Sequence, residues 1–558
     1  MDAAKRSQLG LNGLSPVRVE TLDIQKKRAL HQLRSKHTLL EKYIFMAQMR
    51  TTNTHLFYKI VIEELEELAP VIYTPTVGTA CLEYSNIYPF LAGPGVSDGL
   101  YLTDNTSSDL ITMIQQYQPF PNETFQPEIA VISDGSRILG LGDLGVNGIG
   151  IPIGKLQLYV AGAGIDPRKT LPIILDLGTN NTKFLEDEFY LGLRQHRPND
   201  QQFYEIVDKV IQSIHSVYPN ILIQFEDWSS EHAFGLLEKY QKKMLCFNDD
   251  IQGTGAVILS GVINAIRKVQ KESGVAPQDH RVVFYGAGSA AIGVANQIQH
   301  YFQIEHGLTE EQAKNIFWIV DSKGLITLDR GDTLAQHKIY YARDDNHGQQ
   351  YKALLDIVNY VKPTILIGLS SIPGAFSSQV LTRIAELNEQ PIVFPLSNPA
   401  TQAECTFEQA MQATQHRVIF ASGTAFPTYV EPNGKKHVPG QGNNMYIFPG
   451  LGLGAVLAKP SYISDRMIFA ASKALADSLT PDEINAGYLY PSLPRIRQVS
   501  AIVATAVCQE AIDEKLAQSP DLLAHTASLL DYVVSHMWAP QSLHAPQPKS
   551  AASSTSRI

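Results

Sequence analysis

The part of the chain that most constrains the fold is a series of short apolar runs between about residues 128 and 422. Polar or glycine turns and helical stretches separate these runs, and the runs themselves do not alternate between apolar and polar residues. Strands that are buried on both faces require this composition, so the series predicts a mostly parallel sheet covered by helices, an α/β fold. The runs are IAVIS, LPIILD, NILIQFED, KMLCFND, RVVFYG, FWIVD, TILIGL, PIVFPLSN and RVIFAS.

Polar residues stand at the carboxyl ends of several of these predicted strands. Ligands of open α/β sheets bind outside this edge, so we expect the binding site to be built there. The residues are Asp176, Glu226 with Asp227, Asp249 with Asp250, Asp321 and Asn398.

One glycine-rich segment, GAGSAA at 286–291, fits a dinucleotide-binding loop. It follows the strand RVVFY and opens a helix-compatible stretch, which is the context that a pyrophosphate site needs. Asp321 closes the next apolar strand, where an acid would meet the adenosine ribose. A plain strand-to-helix turn is the alternative. The loop residues expected to contact the cofactor are Gly286, Gly288, Ser289 and Ala290.

Two other glycine-rich segments are less suited to a nucleotide. GLGDLG at 140–145 has the G-x-G-x-x-G spacing, but the glycines and the proline that follow forbid an immediate helix, so we reject it. GLGLGA at 450–455 has no preceding strand of convincing length, and we predict a tight packing turn there.

The residues after Asp321 bear on the choice between NADP and NAD. Ser322 and Lys323 follow directly, and Lys338 lies further along the chain. All three side chains could meet a 2′-phosphate, although lysines are also common on ordinary surfaces. This pattern favours NADP.

Two acidic pairs, Glu226 with Asp227 and Asp249 with Asp250, end two successive strands. Adjacent strands lie about 5 Å apart, so these carboxylates can converge on one cation. Helix capping is the alternative for the second pair, but it explains only one aspartate. Oxygen ligands without His or Cys point to Mg²⁺ or Mn²⁺ rather than to zinc.

Composition excludes several classes of protein. The chain has 558 residues and a formal charge of −10, so nucleic acid is a poor partner. Its four cysteines lie far apart without a C-x-x-C pair, which is typical of a reducing compartment. No apolar run reaches spanning length and the N-terminus lacks a signal peptide, so we expect a cytoplasmic protein that does not bind membranes.

Several longer motifs lie along the chain: VIYTPTVG at 71–78, SRILGLGDLG with GIPIGKLQLY at 136–159, QFEDW at 224–228, CFNDDIQGT at 246–254, YGAGSAAIG at 285–293, LSNP at 396–399 and GQGNN at 440–444. These motifs resemble those of the malic enzymes, and they occur in the family's order from about Leu33 to about Ala511.

The resemblance implies oxidative decarboxylation of L-malate to pyruvate and CO₂ through oxaloacetate, with reduction of a nicotinamide cofactor. It implies that Lys155 is the base, Tyr73 protonates the enol and Asp249 partners Lys155. The resemblance also implies a substrate contact for Arg137, and Asn398 would lie near the nicotinamide. It further implies metal ligation by Glu226, Asp227 and Asp250, and hydrogen bonds to substrate from Asn398 and Asn443.

The resemblance also implies an organisation into domains and subunits. We expect a helical N-terminal domain at 1–101 that contributes Tyr73 and oligomer contacts, and a Rossmann-type NAD(P)-binding domain at 249–443. The substrate and metal α/β domain would combine 102–248 with 444–515, and the segment 516–558 would end in a disordered tail rich in Pro, Ser and Ala. The resemblance also implies that the protein assembles into a homotetramer or a homodimer.

Some features separate this chain from parts of the family. Position 52 is Thr where the fumarate-activated members carry arginine, so we do not expect fumarate activation. VDSKGLI at 320–326 and Lys338 resemble the NADP-preferring cytosolic members, without excluding NAD. Two alternatives stay open: a malolactic enzyme that keeps NAD bound and releases lactate, and a binding protein that senses nucleotide and metal with an inactive site.

Overall fold

The computed structural model describes residues 3–14, 16–92, 97–103, 109–120, 124–331, 334 and 336–540. The tail that we expect to be disordered lies almost wholly outside these residues. The segment before this tail is helical up to His536 and packs against the core through Leu529, Tyr532 and Val533.

The N-terminal part is helical, as expected. One helix ends at Glu63, and after Glu64 a second helix continues past Pro70 to Ile72. Pro70 has no backbone N–H to donate, so this short helix continues to Ile72 with one internal hydrogen bond fewer. The helices are α1 (Ala3–Gln8), α2 (Leu22–Arg34), α3 (Leu39–Thr52), α4 (Thr54–Glu63), α5 (Leu65–Ile72), α6 (Thr76–Leu82) and α7 (Tyr84–Ile87).

A first sheet of five parallel strands follows, with the order β1-β3-β2-β4-β5. Its strands are β1 (Leu100–Leu102), β2 (Ile129–Ser133), β3 (Thr170–Leu175), β4 (Leu222–Phe225) and β5 (Cys246–Asn248). Its helices are α8 (Leu110–Gln116), α9 (Gly150–Ala163), α10 (Thr182–Glu186), α11 (Asp200–Val217), α12 (Ser230–Tyr240) and α13 (Thr254–Ser273).

The second sheet has the order β14-β11-β10-β9-β6-β7-β8 and is parallel except for the pairing of β7 with β8. The strands are β6 (Val282–Tyr285), β7 (Phe317–Asp321), β8 (Gly324–Leu325), β9 (Ile365–Gly368), β10 (Ile392–Pro395), β11 (Ile419–Ser422) and β14 (Gly440–Gln441), and a separate hairpin pairs β12 (Tyr429–Val430) with β13 (Lys436–His437). The helices are α14 (Ser289–His306), α15 (Glu310–Lys314), α16 (Gln336–Ile339), α17 (Leu354–Val361), α18 (Ser378–Leu387) and α19 (Phe407–Ala413).

All nine apolar runs quoted above are strands of these two sheets. In the second sheet, β6 lies between β7 and β9. The chain therefore adds β7 on one side of β6 and later adds β9 on the other side. This reversal of strand order is the switch point at which dinucleotides bind in doubly wound folds. The domain boundaries proposed from the sequence stay a prediction.

The C-terminal part packs as helices against α9 and α13 of the first sheet. The sequence predicted a packing turn at 450–455, and this was wrong because these residues form the middle of a wholly buried helix. A Cβ atom at Gly450 would lie 2.7 Å from Val503 Cβ, and one at Gly452 would lie 2.4 Å from Tyr159 Cε1, so the glycines allow close helix packing. The helices are α20 (Phe448–Ala458), α21 (Asp465–Asp477), α22 (Pro481–Asn485), α23 (Ile496–Asp513), α24 (Pro520–Ala524) and α25 (Leu529–His536).

Among the described residues, no helix combines the length and the apolar character that crossing a membrane requires.

Candidate active site

Three carboxylates meet at the carboxyl edge of the first sheet. Strands β4 and β5 pair in register up to Phe225 and Asn248, so the residues that follow leave the sheet side by side. One oxygen each of Glu226, Asp227 and Asp250 lies within 4.8 Å of the other two. The backbone N–H of Asp227 donates to Asp250 Oδ2 at 2.8 Å, which ties the two strand ends together.

The backbone around these carboxylates adopts uncommon conformations. Asp227 has a φ of 54°, in the left-handed region that non-glycine residues rarely adopt, and its carboxylate accepts a hydrogen bond from Leu139 N at 3.1 Å. Asp249–Gly253 form a π-helical turn, a feature often found at functional sites. A Cβ atom at Gly253 would lie 1.9 Å from Asp249 Oδ1, so glycine here leaves room for this carboxylate in its observed position.

Lys155 lies at the centre of the cluster. It projects from α9, a helix buried on every face, and its side chain is only 4 % exposed. The Nζ atom lies 2.5 Å from Asp249 Oδ2 and 3.0 Å from Glu226 Oε1. It also lies 4.4 Å from the centroid of the Phe448 ring, so an apolar wall covers the amine.

The charges of the cluster do not balance. Burial raises the pKa of Glu226, Asp227 and Asp250 above their usual values, and repulsion among these carboxylates adds to this, while Lys155 opposes it. Burial alone would lower the pKa of Lys155, but Asp249 and Glu226 hold it well above its usual range. One ammonium therefore faces several buried carboxylates.

This donor set fits a hard divalent cation. All the converging ligand atoms are carboxylate oxygens, which Mg²⁺ and Mn²⁺ prefer, and a dication would supply the missing positive charge. Buried Asp249 Oδ1 has no hydrogen-bond partner among the described residues, which is a further sign of a polar group still to be satisfied.

Tyr73 approaches Lys155 from the end of α5. Its ring packs on α9, since a Cβ atom at Gly154 would lie 2.6 Å from Tyr73 Cδ2. The Lys155 Nζ atom lies 5.5 Å from the ring centroid. Burial raises the pKa of Tyr73 well above its usual value although Lys155 opposes this, so the phenol stays protonated and available as a proton donor.

The three residues expected to contact the substrate, Arg137, Asn398 and Asn443, lie on loops. Arg137 is exposed and donates to Ser230 Oγ. Its charge opposes the rise that burial causes in the pKa of Asp227 and of Asp250, so it lies on the open side of the carboxylates. Asn398 is exposed after β10, and Asn443 accepts a hydrogen bond from Met445 N at 2.9 Å.

The two halves of the structure meet at these loops. A Cβ atom at Gly140 would lie 3.3 Å from Pro399 Cδ, so the loop after Arg137 lies against the turn that carries Asn398. Asp176, by contrast, is not part of the cluster. Its carboxylate accepts hydrogen bonds from Gly178 N and Leu193 N and shapes a loop.

The predicted dinucleotide crevice lies beside β6, at the switch point of the second sheet. Gly286 has a φ of 119°, and a Cβ atom there would lie 2.3 Å from Leu369 O at the end of β9. Gly288 is the N-cap of α14, an 18-residue helix that begins with Ser289 and Ala290. Two glycines that permit close backbone approach, followed by a helix N-terminus, fit a pyrophosphate.

Basic side chains gather at Asp321, the acid that ends β7. Its carboxylate accepts hydrogen bonds from Arg330 at 2.7 and 2.9 Å and from Lys338 at 3.1 Å. Burial would raise the pKa of Asp321, but these cations and the N–H of Lys323 hold it at about 2. Ser322 and Lys323 are exposed beside this cluster, where a 2′-phosphate would meet positive charge.

Comparisons with known proteins agree with this geometry. Residues 50–241 match the family model "Malic enzyme, N-terminal domain", and residues 251–512 match "Malic enzyme, NAD binding domain". The chain belongs to the malic enzyme family.

Two relatives and one solved structure illustrate the similarity. A protein of Dictyostelium discoideum named NADP-dependent malic enzyme is 50% identical over 516 residues, which cover 92% of each chain. A protein of Vitis vinifera with the same name is 41% identical and covers 95% of this chain and 86% of its own. The crystal structure of Entamoeba histolytica malic enzyme matches with a TM-score of 0.56 at 22% identity, covering 94% of this chain and 90% of that one. This structural match supports the α/β fold, which is confirmed.

Sequence reasoning missed three residues of this malic enzyme family site. Gln224 accepts a hydrogen bond from Tyr159 Oη at 2.5 Å and donates to Glu226 Oε2 at 2.6 Å, so it orients a predicted metal ligand. Asn444 donates to Asp249 Oδ2 at 3.1 Å. Arg330, which donates to the Asp321 carboxylate, is the third. A glutamine inside an apolar strand was the one visible signal for Gln224, and Asn444 lay next to predicted Asn443.

Proposed function

We propose that this protein catalyses the oxidative decarboxylation of L-malate to pyruvate and CO₂ with reduction of NADP⁺. Similarity to proteins named NADP-dependent malic enzyme over more than nine tenths of the chain carries this proposal. The geometry supports it, because a buried amine, a cluster of carboxylates and a dinucleotide crevice lie together at the junction of the two sheets. The comparisons give no support to the malolactic alternative or to the inactive binding protein.

In the proposed reaction, Lys155 Nζ takes the proton of the C2 hydroxyl group while C2 delivers a hydride to the nicotinamide ring. Arg137 binds a malate carboxylate through its fork of N–H groups, and Asn398 and Asn443 add neutral hydrogen bonds. Asp249, held by Asn444, keeps the amine in place. The C3–C4 bond of the resulting oxaloacetate then breaks with loss of CO₂, and Tyr73 Oη protonates C3 of the enol.

The cofactors are part of the proposal. Glu226, Asp227 and Asp250 would hold Mg²⁺ or Mn²⁺, which supplies Lewis-acid stabilisation of the negative charge that develops during hydride transfer and decarboxylation. Lys155 needs a neutral amine to act as a base. Burial favours that form while Asp249 and Glu226 raise the pKa of Lys155, so a dication that compensates the charge of Glu226 would remove part of this opposition. Lys338, Ser322 and Lys323 support NADP over NAD.

The assembly and the compartment are proposed from exposed apolar side chains and from the state of the cysteines. Leu82, Tyr88 and Phe90, on α6 and the turn after α7, are 46%, 48% and 55% exposed, which supports a homodimer or homotetramer formed through the N-terminal helices. All four cysteines are buried and free, which supports a reducing compartment such as the cytoplasm.

The experiment is an initial-rate assay of the purified protein with L-malate, Mn²⁺ and either NADP⁺ or NAD⁺ in parallel. We expect reduced nicotinamide and CO₂ in equal amounts, with the higher kcat/KM for NADP⁺. Lactate without net reduction of cofactor would instead establish the malolactic reaction. Absence of turnover with both cofactors would refute the proposal.

A further inference from the structure

A completely buried carboxylate, Glu404, lies in the dinucleotide-binding half of the structure and has no role in the reaction described above. Its exposed fraction is 0 %. The Oε1 atom accepts hydrogen bonds from Ser370 N and Ser370 Oγ, both at 2.8 Å, and from Ser397 Oγ at 2.5 Å. The Oε2 atom lies 3.4 Å from Ser397 N. All these donors are neutral.

Burying a carboxylate among neutral donors is costly, because an ionised group loses the solvation of water. The surroundings are nevertheless shaped for it. A Cβ atom at Gly368, the last residue of β9, would lie 2.5 Å from Glu404 Cδ, so this strand end must be glycine to admit the side chain. A costly group in a fitted position indicates a role beyond packing.

Glu404 joins two loops that border the dinucleotide crevice. Ser370 belongs to the loop after β9, whose Leu369 O faces the glycine-rich loop at Gly286. Ser397 belongs to the loop after β10 and directly precedes Asn398. The Oε1 atom thus bonds to both loops at once and fixes their separation.

The position of these loops identifies the end of the cofactor that they border. Asp321 ends β7 on one side of β6 and lies where the adenosine ribose of a dinucleotide binds. Strands β9 and β10 lie on the other side of β6, in the second mononucleotide-binding half of the sheet. The loops joined by Glu404 therefore border the nicotinamide half of the crevice.

We propose that Glu404 is a positioning residue that sets the width of the nicotinamide side of the crevice and the place of Asn398. It acts through Ser370 and Ser397 and does not touch the cofactor. The inference rests on the proposed function, since it concerns how NADP binds.

The test compares the affinities of two probes, NADPH and 2′,5′-ADP, for the full-length protein without malate or metal. NADPH occupies both halves of the crevice, whereas 2′,5′-ADP occupies the adenosine half alone. We expect Glu404→Ala to raise the dissociation constant of NADPH roughly tenfold and to leave that of 2′,5′-ADP unchanged, because losing charge-assisted hydrogen bonds frees both loops. Fluorescence of NADPH and calorimetry of 2′,5′-ADP give the two constants.

Two further variants and a control refine the test. Glu404→Gln retains an oxygen at the Oε1 position, which accepts three of the four bonds, so we expect it to restore most of the NADPH affinity. Ser397→Ala removes a single hydroxyl group, so it should disturb the fold less than Glu404→Ala. We expect it to raise the dissociation constant of NADPH by a smaller factor and to leave that of 2′,5′-ADP unchanged. Glu408→Ala, at an exposed acid in the first turn of α19, should change neither constant.

Equal weakening of both probes would show that Glu404 only stabilises the domain, and unchanged NADPH binding would show that it positions nothing. Either result overturns the inference, as would an equal loss in Glu404→Gln and Glu404→Ala. Failure of the proposed function would give a different result. The wild-type protein itself would then neither bind NADPH nor turn over malate.

Discussion

Replacement of Lys155 by alanine tests the charge balance of the active site. The ammonium lies 2.5 Å from Asp249 and 3.0 Å from Glu226, and all three side chains are at most 4 % exposed. Removing one partner of a buried ion pair costs about 3–5 kcal/mol, because the remaining charges lose their compensation. We therefore expect metal-free Lys155→Ala to unfold at a clearly lower temperature than the wild-type protein.

The same variant should respond more strongly to Mn²⁺. The carboxylates that remain lack a competing cation, so a dication binds them more tightly, and binding to the folded state raises stability by mass action. A tenfold tighter affinity would add about 1.4 kcal/mol at saturating Mn²⁺. The rise of the unfolding temperature on adding Mn²⁺ should thus be larger in Lys155→Ala than in the wild-type protein.

Catalysis should fail at the same time. Loss of a general base lowers kcat by about 10²–10⁴-fold. The assays are differential scanning fluorimetry with and without Mn²⁺ and initial rates of NADPH formation. Lys169→Ala is the matched control, because this lysine pairs with Glu128 at 2.6 Å but is 44 % exposed, and such pairs contribute less than about 1 kcal/mol. A kcat close to the wild-type value, or equal Mn²⁺ responses in both proteins, would refute the reasoning.

Three further predictions follow from particular contacts. Gly253→Ala would place Cβ 1.9 Å from Asp249 Oδ1 and displace this carboxylate from Lys155, so kcat should fall by about tenfold or more. The control is Gly162→Ala in α9, where the nearest atom to the new Cβ lies at 3.5 Å and kcat should not change. Lys338→Ala should raise KM for NADP⁺ about tenfold and leave KM for NAD⁺ unchanged, and equal changes would argue against a 2′-phosphate contact. Burial lowers the pKa of His280 from 6.5 to about 4. Between these two pH values the unfolded state binds a proton that the folded state does not, so the free energy of unfolding decreases as pH falls. Urea unfolding should show a loss of about 2 kcal/mol between pH 7 and pH 5 that is absent in His280→Gln, and identical pH dependence of both proteins would contradict this sign.

The strands were predictable because burial on both faces leaves a direct trace in the sequence. Each of the nine apolar runs became a strand, and Asp227 and Asp250 followed their strands to the same edge of the sheet. Helices of the interior left a weaker trace. The segment 450–455 is buried all round, so it shows neither a polar face nor the helical spacing that a surface helix shows.

Contacts between distant segments could not be predicted from one sequence. Arg330 reaches Asp321 from a loop whose path no local pattern fixes. Gln224 meets Tyr159 only when α9 packs on the sheet. In the sequence, Glu404 looks like an ordinary acid that precedes a helix. Its burial depends on Gly368, at the end of a distant strand. The catalytic and binding roles of the individual residues stay predictions until variants are measured.

The most direct measurement is a titration of the metal-free protein with Mn²⁺, followed by the electron paramagnetic resonance signal of the free ion. The account predicts saturation at one Mn²⁺ per chain, with weaker binding in Glu226→Gln, Asp227→Asn and Asp250→Asn and an unchanged fold by circular dichroism. Wild-type affinity in these three variants would contradict the claim that their carboxylates together hold the cation beside Lys155.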